Sequence, residues 1–145
     1  MPKILSVNIS KKKGIPKASI PEGNFIEEFG LEGDAHAGKW HRQVSLLGIE
    51  SINKMKEVGV KNLDAGKFAE NLTTEGINLW ELPVGTKLKI GETIQEVTQI
   101  GKECHRGCAI KNLVGDCVMP REGIFTRVLK GGKVRVGDSI EIIEK

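Results

Sequence analysis

The sequence predicts a mainly β domain with a barrel-like sheet and a few short helices. Apolar runs are short, and Gly, Pro, Asn or Asp separate them. Glycine accounts for 18 of the 145 residues, which is well above average usage. Aromatic residues make up only 4% of the chain, so the core must be built mainly from Val, Ile and Leu.

The strands of the first two thirds of the chain are predicted from alternating apolar and polar residues. Residues 3–9 alternate, and residues 17–20 are expected to pair with them across a Lys/Gly/Pro turn. Residues 86–90 form a second alternating strand that ends at a Gly-Glu turn. Residues 93–100 form the next strand, with a bulge because their apolar residues recur at intervals of three.

The strand pattern is strongest near the C-terminus. Residues 125–129 and 133–136 flank Lys130-Gly131-Gly132, which predicts a hairpin. Gly137-Asp138 then turns the chain into a last strand at 139–143. Turns at this density predict an all-β sheet or barrel decorated with helices.

Two helical segments are predicted between these groups of strands. The longer one covers residues 45–58, where apolar residues recur near helical spacing and Gly59 can end the helix. A shorter helical turn is predicted from Asp64. Because the sequence shows neither a linker nor an internal repeat, we expect one domain over residues 1–145.

Composition and charge exclude several classes of function. The net charge of +3 is mild, without the broad basic stripe and interleaved aromatics of nucleic-acid proteins, but it can help attract a small phosphorylated ligand. No segment approaches the roughly 20 apolar residues that cross a bilayer, and the N-terminus lacks the pattern of a signal peptide. We therefore expect a cytoplasmic protein with no nucleic-acid or membrane partner.

Three cysteines, Cys104, Cys108 and Cys117, lie within one short segment. Their odd number cannot complete a disulfide framework in one chain, so reduced thiols are expected. As metal ligands they would need a histidine as the fourth, and their spacing fits a structural zinc site only loosely because a second close pair is missing. As inert residues, Cys108 and Cys117 resemble small apolar core residues.

Cys104 has the surroundings of a reactive thiol. It follows the strand at 93–100, and Lys102, His105 and Arg106 supply nearby cations, which lower the pKa of a thiol. Because strand neighbours alternate between faces, Lys102 and Arg106 can share a face with Cys104. A nucleophilic or sulfur-carrying role is one hypothesis beside the metal and core alternatives.

Two other segments carry polar side chains suited to ligand binding. The glycine-spaced loop at 30–42 contains Asp34, His36 and Arg42, and it is either a surface turn with a capping Asp or part of a site. Glu70 and Asn71 either end a helix or orient a polar ligand.

Five motifs in this order resemble those of the MOSC domain, which is named for the C-terminal part of molybdenum cofactor sulfurases. The resemblance runs from about residue 3 to residue 143. The motifs are GDAH at 33–36, RQVSLL at 42–47, AENLT at 69–73, GKEC at 101–104 and PREGIFTRVL at 120–129, followed by GG at 131–132 and VGD at 136–138.

The resemblance implies a barrel-like β fold and a cysteine that carries sulfur or contacts the molybdenum cofactor. Cys104 matches that cysteine best, and Cys117 is its rival. The cofactor-binding positions that lie on family motifs are Asp34, His36, Glu70, Asn71 and Arg121. Arg42, Lys102 and Arg106 are added as chemical candidates for a pterin phosphate.

The function implied is a sulfur carrier or sulfurtransferase-type module that forms a persulfide, with the molybdenum cofactor as ligand or substrate. The expected partners are a cysteine desulfurase or another sulfur donor, and an enzyme that makes or accepts the cofactor. The pyridoxal-phosphate desulfurase domain of full-length sulfurases has no counterpart of that size in this sequence. The alternatives are a non-catalytic cofactor-binding or storage module and a structural Cys/His metal-binding protein.

Overall fold

The computed structural model describes residues 2–12, 17–35, 37–57, 70–101 and 122–144, and strands predominate in these ranges. The prediction of a mainly β class is confirmed. None of the helices in the described ranges has the length and apolarity needed to cross a membrane. The elements, in order, are β1 (Lys3–Ile9), β2 (Ala18–Ile20), β3 (Glu22–Ile26), β4 (Gly30–Leu31), β5 (Val44–Gly48), α1 (Ile49–Glu57), β6 (Leu72–Glu75), a 3-10 turn (Leu79–Glu81), β7 (Lys87–Ile90), β8 (Thr93–Ile100), β9 (Ile124–Lys130), β10 (Gly132–Arg135) and β11 (Ile140–Glu144).

The strands form one large and one small sheet. The large sheet has eight strands in the order β11-β7-β8-β9-β5-β6-β1-β2, and the small sheet has the order β10-β3-β4. Every neighbouring pair is antiparallel except β5 and β6, which are parallel. Lys3 and Ser139 form a single bridge that brings the starts of β1 and β11 together. Because this bridge does not continue as a ladder, the large sheet curves without closing, and "barrel-like" describes it only loosely.

The hydrophobic core lies between the two sheets and is almost entirely aliphatic. Phe25 and Phe125 are the aromatic residues among the buried hydrophobic residues of the described ranges. Strand β7 shows the expected alternation, with Leu88 and Ile90 buried. The other core residues include Ile4, Val7, Leu31, Val44, Leu46, Leu72, Val97, Ile124, Val128, Val134 and Ile140.

Two local predictions about the strands are confirmed. β1 pairs with β2 in antiparallel register, with Val7 opposite Ile20. The register between β8 and β9 shifts at Ile94/Gln95 and again at Val97/Gln99, so β8 carries the expected irregularity. The first was predicted from a short turn between the two strands, and the second from the spacing of apolar residues within residues 93–100.

The predicted hairpin between residues 125–129 and 133–136 is wrong. Both segments are strands, but β9 pairs with β5 and β8 in the large sheet, whereas β10 pairs with β3 in the small one. The chain crosses from one sheet to the other at Gly131, where a Cβ atom would lie 2.7 Å from the carbonyl oxygen of Phe25. The glycines therefore permit a close passage between the sheets and do not form a hairpin turn.

The predicted helix at 45–58 starts too early. Val44–Gly48 is strand β5, and α1 begins at Ile49. All five residues of β5 are buried, since Val44 and Leu46 face the core between the sheets. A strand covered on both faces has a continuous apolar sequence that resembles a buried helix. The predicted end at Val58 and the helical turn from Asp64 lie outside the described residues.

Candidate functional site

Two polar clusters lie on either side of strand β5. The first is a buried hydrogen-bond network that contains Asp34, Glu70 and Asn71. The second is an open cleft beside Arg42, at the start of the same strand.

Asp34 lies in a buried ion pair and not on a surface turn. Lys17 Nζ is 2.7 Å from Asp34 Oδ1, and neither side chain is accessible to solvent. The backbone N–H of Ser10 donates to the same carboxylate oxygen at 3.0 Å. Lys17 also donates to Ser10 Oγ at 3.3 Å. The structure thus supplies a partner, Lys17, that sequence reasoning had assigned only to a short strand.

The pKa of Asp34 reflects two opposing influences. Burial favours the protonated carboxyl group and raises the pKa. The hydrogen bonds from Lys17 and from the Ser10 N–H, the positive charge of Lys17 and a hydrogen bond from Asn71 act against burial. Together they lower the pKa of Asp34 below its ordinary value. The pair is therefore ionised at neutral pH.

This lowered pKa predicts a component of acid lability. A group whose folded pKa is depressed stabilises the fold above its unfolded pKa, and that contribution is lost as pH falls towards the folded value. We expect the free energy of unfolding to decline below about pH 5 more steeply in the native chain than in Lys17→Met/Asp34→Asn, which lacks both charges. Urea unfolding between about pH 7 and pH 3 measures this slope. Parallel curves for the two proteins would contradict the role given to Asp34.

Asn8 is the centre of the second part of the network. Its Oδ1 accepts hydrogen bonds from Ser6 Oγ at 2.7 Å and Ser19 Oγ at 3.0 Å. Its Nδ2 donates to the Glu70 carbonyl oxygen at 3.2 Å and to Thr73 Oγ1 at 3.0 Å. These contacts use the full hydrogen-bonding capacity of an asparagine side chain.

The Glu70 carboxylate ends this chain of hydrogen bonds. Thr73 Oγ1 accepts from Asn8 and donates its single proton to Glu70 Oε2 at 2.8 Å. Glu70 is completely buried. The direction of each bond is thus set from Asn8 through Thr73 to the carboxylate.

Asn71 connects the strands on both sides of its own segment. Its Oδ1 accepts from the backbone N–H of Ser45 at 3.0 Å and from Ser45 Oγ at 3.2 Å. Its Nδ2 donates to the carbonyl oxygen of Asn8 at 3.3 Å. Asn71 therefore links β1 to β5. Within the described residues, the contacts of Asp34, Glu70 and Asn71 are with the protein itself, and their binding of a cofactor stays a prediction.

The open cleft has the size of a small-ligand site. Its volume is about 510 Å³, within the usual range for ligand pockets. The Trp40 side chain is partly exposed and meets the His41 ring edge-on, with 5.8 Å between ring centroids. The lining residues are Glu28, Lys39, Trp40, His41, Gln43 and Arg127.

Arg42 lies beside this cleft and is held in a defined orientation. Its guanidinium carbon is 6.0 Å from the centre of the Trp40 ring and 5.2 Å from that of Phe125, which is cation–π distance. Its Nε donates to Gln99 Oε1 at 3.0 Å. Among the described residues, Nη1 and Nη2 of Arg42 form no hydrogen bond, so both groups can donate to a ligand.

Gln99 links the cleft to the segment that carries the cysteines. Its Nε2 donates to the carbonyl oxygen of Gly101 at 2.7 Å. The N–H of Gly101 in turn donates to the carbonyl oxygen of Gly123 at 2.6 Å. The chain that leaves β8 and the chain that enters β9 are thus joined beside Arg42.

Several predicted site residues lie outside the described part of the chain. They are His36, Lys102, Cys104, Arg106, Arg121 and the rival Cys117. The metal-binding alternative depends on the same cysteines and also stays a prediction. The sequence indicated His41 only as a possible fourth metal ligand, and it did not indicate Trp40 or Gln99 as binding residues. No sequence pattern around Gln99 indicates binding, because its contribution depends on hydrogen-bond partners from a distant loop.

The fold and these motif positions define the class of protein. The sequence profile of the MOSC domain matches residues 33–141, and the chain belongs to this family. Family membership ties the protein in general terms to the molybdenum cofactor.

Individual relatives support the same assignment. The uncharacterized protein YflK of Bacillus subtilis is 24% identical over 163 residues, covering 98% of this chain and 73% of its own. The crystal structure of YuaD from Bacillus subtilis matches with a TM-score of 0.73 at 20% identity, covering 97% of this chain and 94% of YuaD. That of YiiM from Geobacillus stearothermophilus matches with a TM-score of 0.76 at 19% identity, covering 99% and 76%. These structural likenesses show the fold.

Proposed function

We propose that this MOSC protein is a sulfur carrier of molybdenum cofactor metabolism, with Cys104 as the persulfide-forming thiol and the cleft beside Arg42 as the cofactor site. One observation carries the proposal. The hydrogen bonds of Gln99 and Gly123 to Gly101 hold both ends of the cysteine-bearing segment next to an arginine with free donors. A thiol and a cofactor site are thereby linked through a short path.

Chain length favours Cys104 over Cys117 as the thiol near this site. Cys104 is three residues from Gly101 along the chain, and an extended chain of three residue steps spans about 11 Å at most. Cys117 is six residues from Gly123, which allows about twice that distance. The chain therefore limits the distance from the cleft more tightly for Cys104 than for Cys117.

The described residues fit the phosphate and the planar ring of the molybdenum cofactor. The two free nitrogens of Arg42 form a fork that suits a phosphate group. The exposed ring of Trp40 offers an apolar surface for a flat heterocycle. Lys39 and Arg127 add positive charge to the cleft. The bound cofactor would supply the exchange and redox chemistry of molybdenum, while the protein supplies binding, orientation and the thiol.

The sulfur transfer needs no net oxidation when it occurs between thiols. The Cys104 thiolate attacks the terminal sulfur of a donor persulfide, a new S–S bond forms, and the donor leaves as its thiolate. A nucleophilic acceptor then attacks the terminal sulfur of the Cys104 persulfide and releases the Cys104 thiolate. Delivery of the sulfur as sulfide would require two electrons, which a small thiol reductant supplies.

Replacing Cys104 by serine is expected to abolish persulfide loading. Serine retains the size of the side chain but does not attack a persulfide at neutral pH. The protein is incubated with a cysteine desulfurase and cysteine, and mass spectrometry then locates the sulfur adduct. Cys108→Ser and Cys117→Ser serve as matched controls and should load like the native chain. Normal persulfide loading of Cys104→Ser, or loss of loading in Cys117→Ser alone, would contradict the assignment of Cys104 as the persulfide-forming thiol.

A binding or storage module is the second candidate, and the composition of the cleft favours it. The lining residues that the structure describes, among them Trp40, His41 and Arg127, lie outside the cysteine-bearing segment. Cofactor binding would then survive the loss of Cys104. Titration of purified cofactor into Cys104→Ser separates the candidates. Unchanged affinity together with an absence of persulfide loading in the native chain identifies a storage module.

A further inference from the structure

We propose that His41 and Arg42 form one binding site for a tetrahedral oxyanion, and that the site binds its anion more tightly when His41 is protonated. The inference deepens the proposed function, since it names the anionic group that the cleft takes and a pH control on its binding. The inference rests on the proposed function in one respect only, which is the identity of the complete ligand that carries this anionic group.

The orientation of the Gln99 amide is fixed by two independent partners. Arg42 Nε can only donate, so the Gln99 atom 3.0 Å away must be the oxygen. The Gly101 carbonyl can only accept, so the Gln99 atom 2.7 Å from it must be the NH₂ nitrogen. Neither assignment depends on the histidine.

This orientation determines which nitrogen of His41 carries hydrogen. His41 Nε2 lies 3.0 Å from the same Gln99 oxygen, and an amide oxygen only accepts. Nε2 is therefore protonated, and Nδ1 is the ring nitrogen that remains for a ligand. In neutral His41, Nδ1 presents a lone pair, which repels an oxyanion. In protonated His41, Nδ1 becomes a charged donor.

Gln99 also brings two positive groups close together. Because His41 Nε2 and Arg42 Nε each lie 3.0 Å from the same oxygen, the two nitrogens are within about 6 Å of each other. An oxyanion that contacts both side chains is held more strongly when His41 carries a positive charge, so anion binding and proton uptake assist each other.

Among the charged groups that the structure describes at the cleft, His41 and Arg42 are the main anion donors. Arg127 is engaged with Glu96 at 2.8 Å and approaches Glu28 at 3.7 Å. Lys39 adds a further positive charge to the lining. Because Arg127 has two carboxylate neighbours and Arg42 has none among the described residues, an incoming anion meets a net positive field at Arg42.

Sulfate is the probe that isolates His41, because its own charge stays constant where histidine titrates. We expect the native chain to bind sulfate roughly three- to tenfold more tightly at about pH 5.5 than at about pH 8, at constant ionic strength. His41→Asn should bind sulfate equally at both pH values. Arg42→Gln should lose most of the affinity. Arg135→Gln, which removes an arginine paired with Glu22 outside the cleft, is the matched control and should bind like the native chain.

Gln99→Leu tests the positioning role and is expected to weaken sulfate binding while abolishing most of its pH dependence. Proton NMR of the native chain gives a second readout, which observes the His41 ring directly. The His41 ring resonance, identified by its loss in His41→Asn, should titrate at higher pH when sulfate is added. The proposal is overturned if the sulfate affinity does not depend on pH, if His41→Asn retains the dependence, or if sulfate leaves the His41 titration unmoved. Persulfide loading of Cys104 is measured separately, so either proposal can fail without the other.

Discussion

Replacing Lys17 by methionine is expected to lower the free energy of unfolding by about 3–5 kcal/mol, because it removes the countercharge of the buried Asp34 carboxylate. Lys17 Nζ and Asp34 Oδ1 are 2.7 Å apart, with both side chains inaccessible to solvent. Methionine retains the length and apolar stem of lysine, so lost packing accounts for little of the effect. Urea unfolding at neutral pH measures the change.

Two further variants separate the charge effect from general disturbance. Lys17→Met/Asp34→Asn removes both charges and keeps an acceptor for the Ser10 N–H, so it should be more stable than Lys17→Met alone. Lys133→Met removes a half-exposed lysine that lies 3.3 Å from Glu22, and it should cost no more than about 1 kcal/mol. If Lys17→Met costs no more than Lys133→Met, the buried pair does not stabilise the fold.

Replacing Asn8 by alanine is expected to cost about 3 kcal/mol or more of unfolding free energy. The change removes four hydrogen bonds at once, two accepted from serines and two donated to Glu70 and Thr73. A buried polar group left without its partner costs about 1–3 kcal/mol. The loss is larger than for an ordinary asparagine because Ser6, Glu70 and Thr73 are buried with it.

Asn24→Ala is the matched control for this variant. Asn24 also lies in a strand, but its side chain is exposed and contacts only Glu32, at 3.2 Å. Its replacement should change stability by no more than about 0.5 kcal/mol. Equal losses for the two variants would mean that the network around Asn8 contributes nothing beyond a surface hydrogen bond.

The sequence predicted those features of the fold that depend on residues close together in the chain. The alternation of residues in β7 predicts which side chains are buried, because a strand has a period of two. The pairing of β9 and β10 was not predictable in this way. In the sequence, two strands joined by glycines are consistent with a hairpin. In the structure, the close approach of Gly131 to Phe25 shows that the chain changes sheets.

The residues of the candidate site also fall into two groups: those that sequence motifs indicate, and those whose contacts only folding creates. Asp34, Glu70 and Asn71 were selected through the resemblance to family motifs, and the structure places them in one network with Asn8 and Lys17. Their burial was not predictable, since it comes from partners that are distant in sequence. The pairing of Gln99 with His41 was not predictable either, because this contact joins a loop to the end of β8.

The sequence by itself determined the mainly β class and the membership of the MOSC family, because alternation is a local property and ordered motifs survive in the linear chain. The tertiary structure alone decided that Val44–Gly48 is a central strand, that Lys17 neutralises Asp34, and that one glutamine oxygen joins His41 to Arg42. The physical reason is that burial, ion pairing and donor direction depend on groups brought together only by folding.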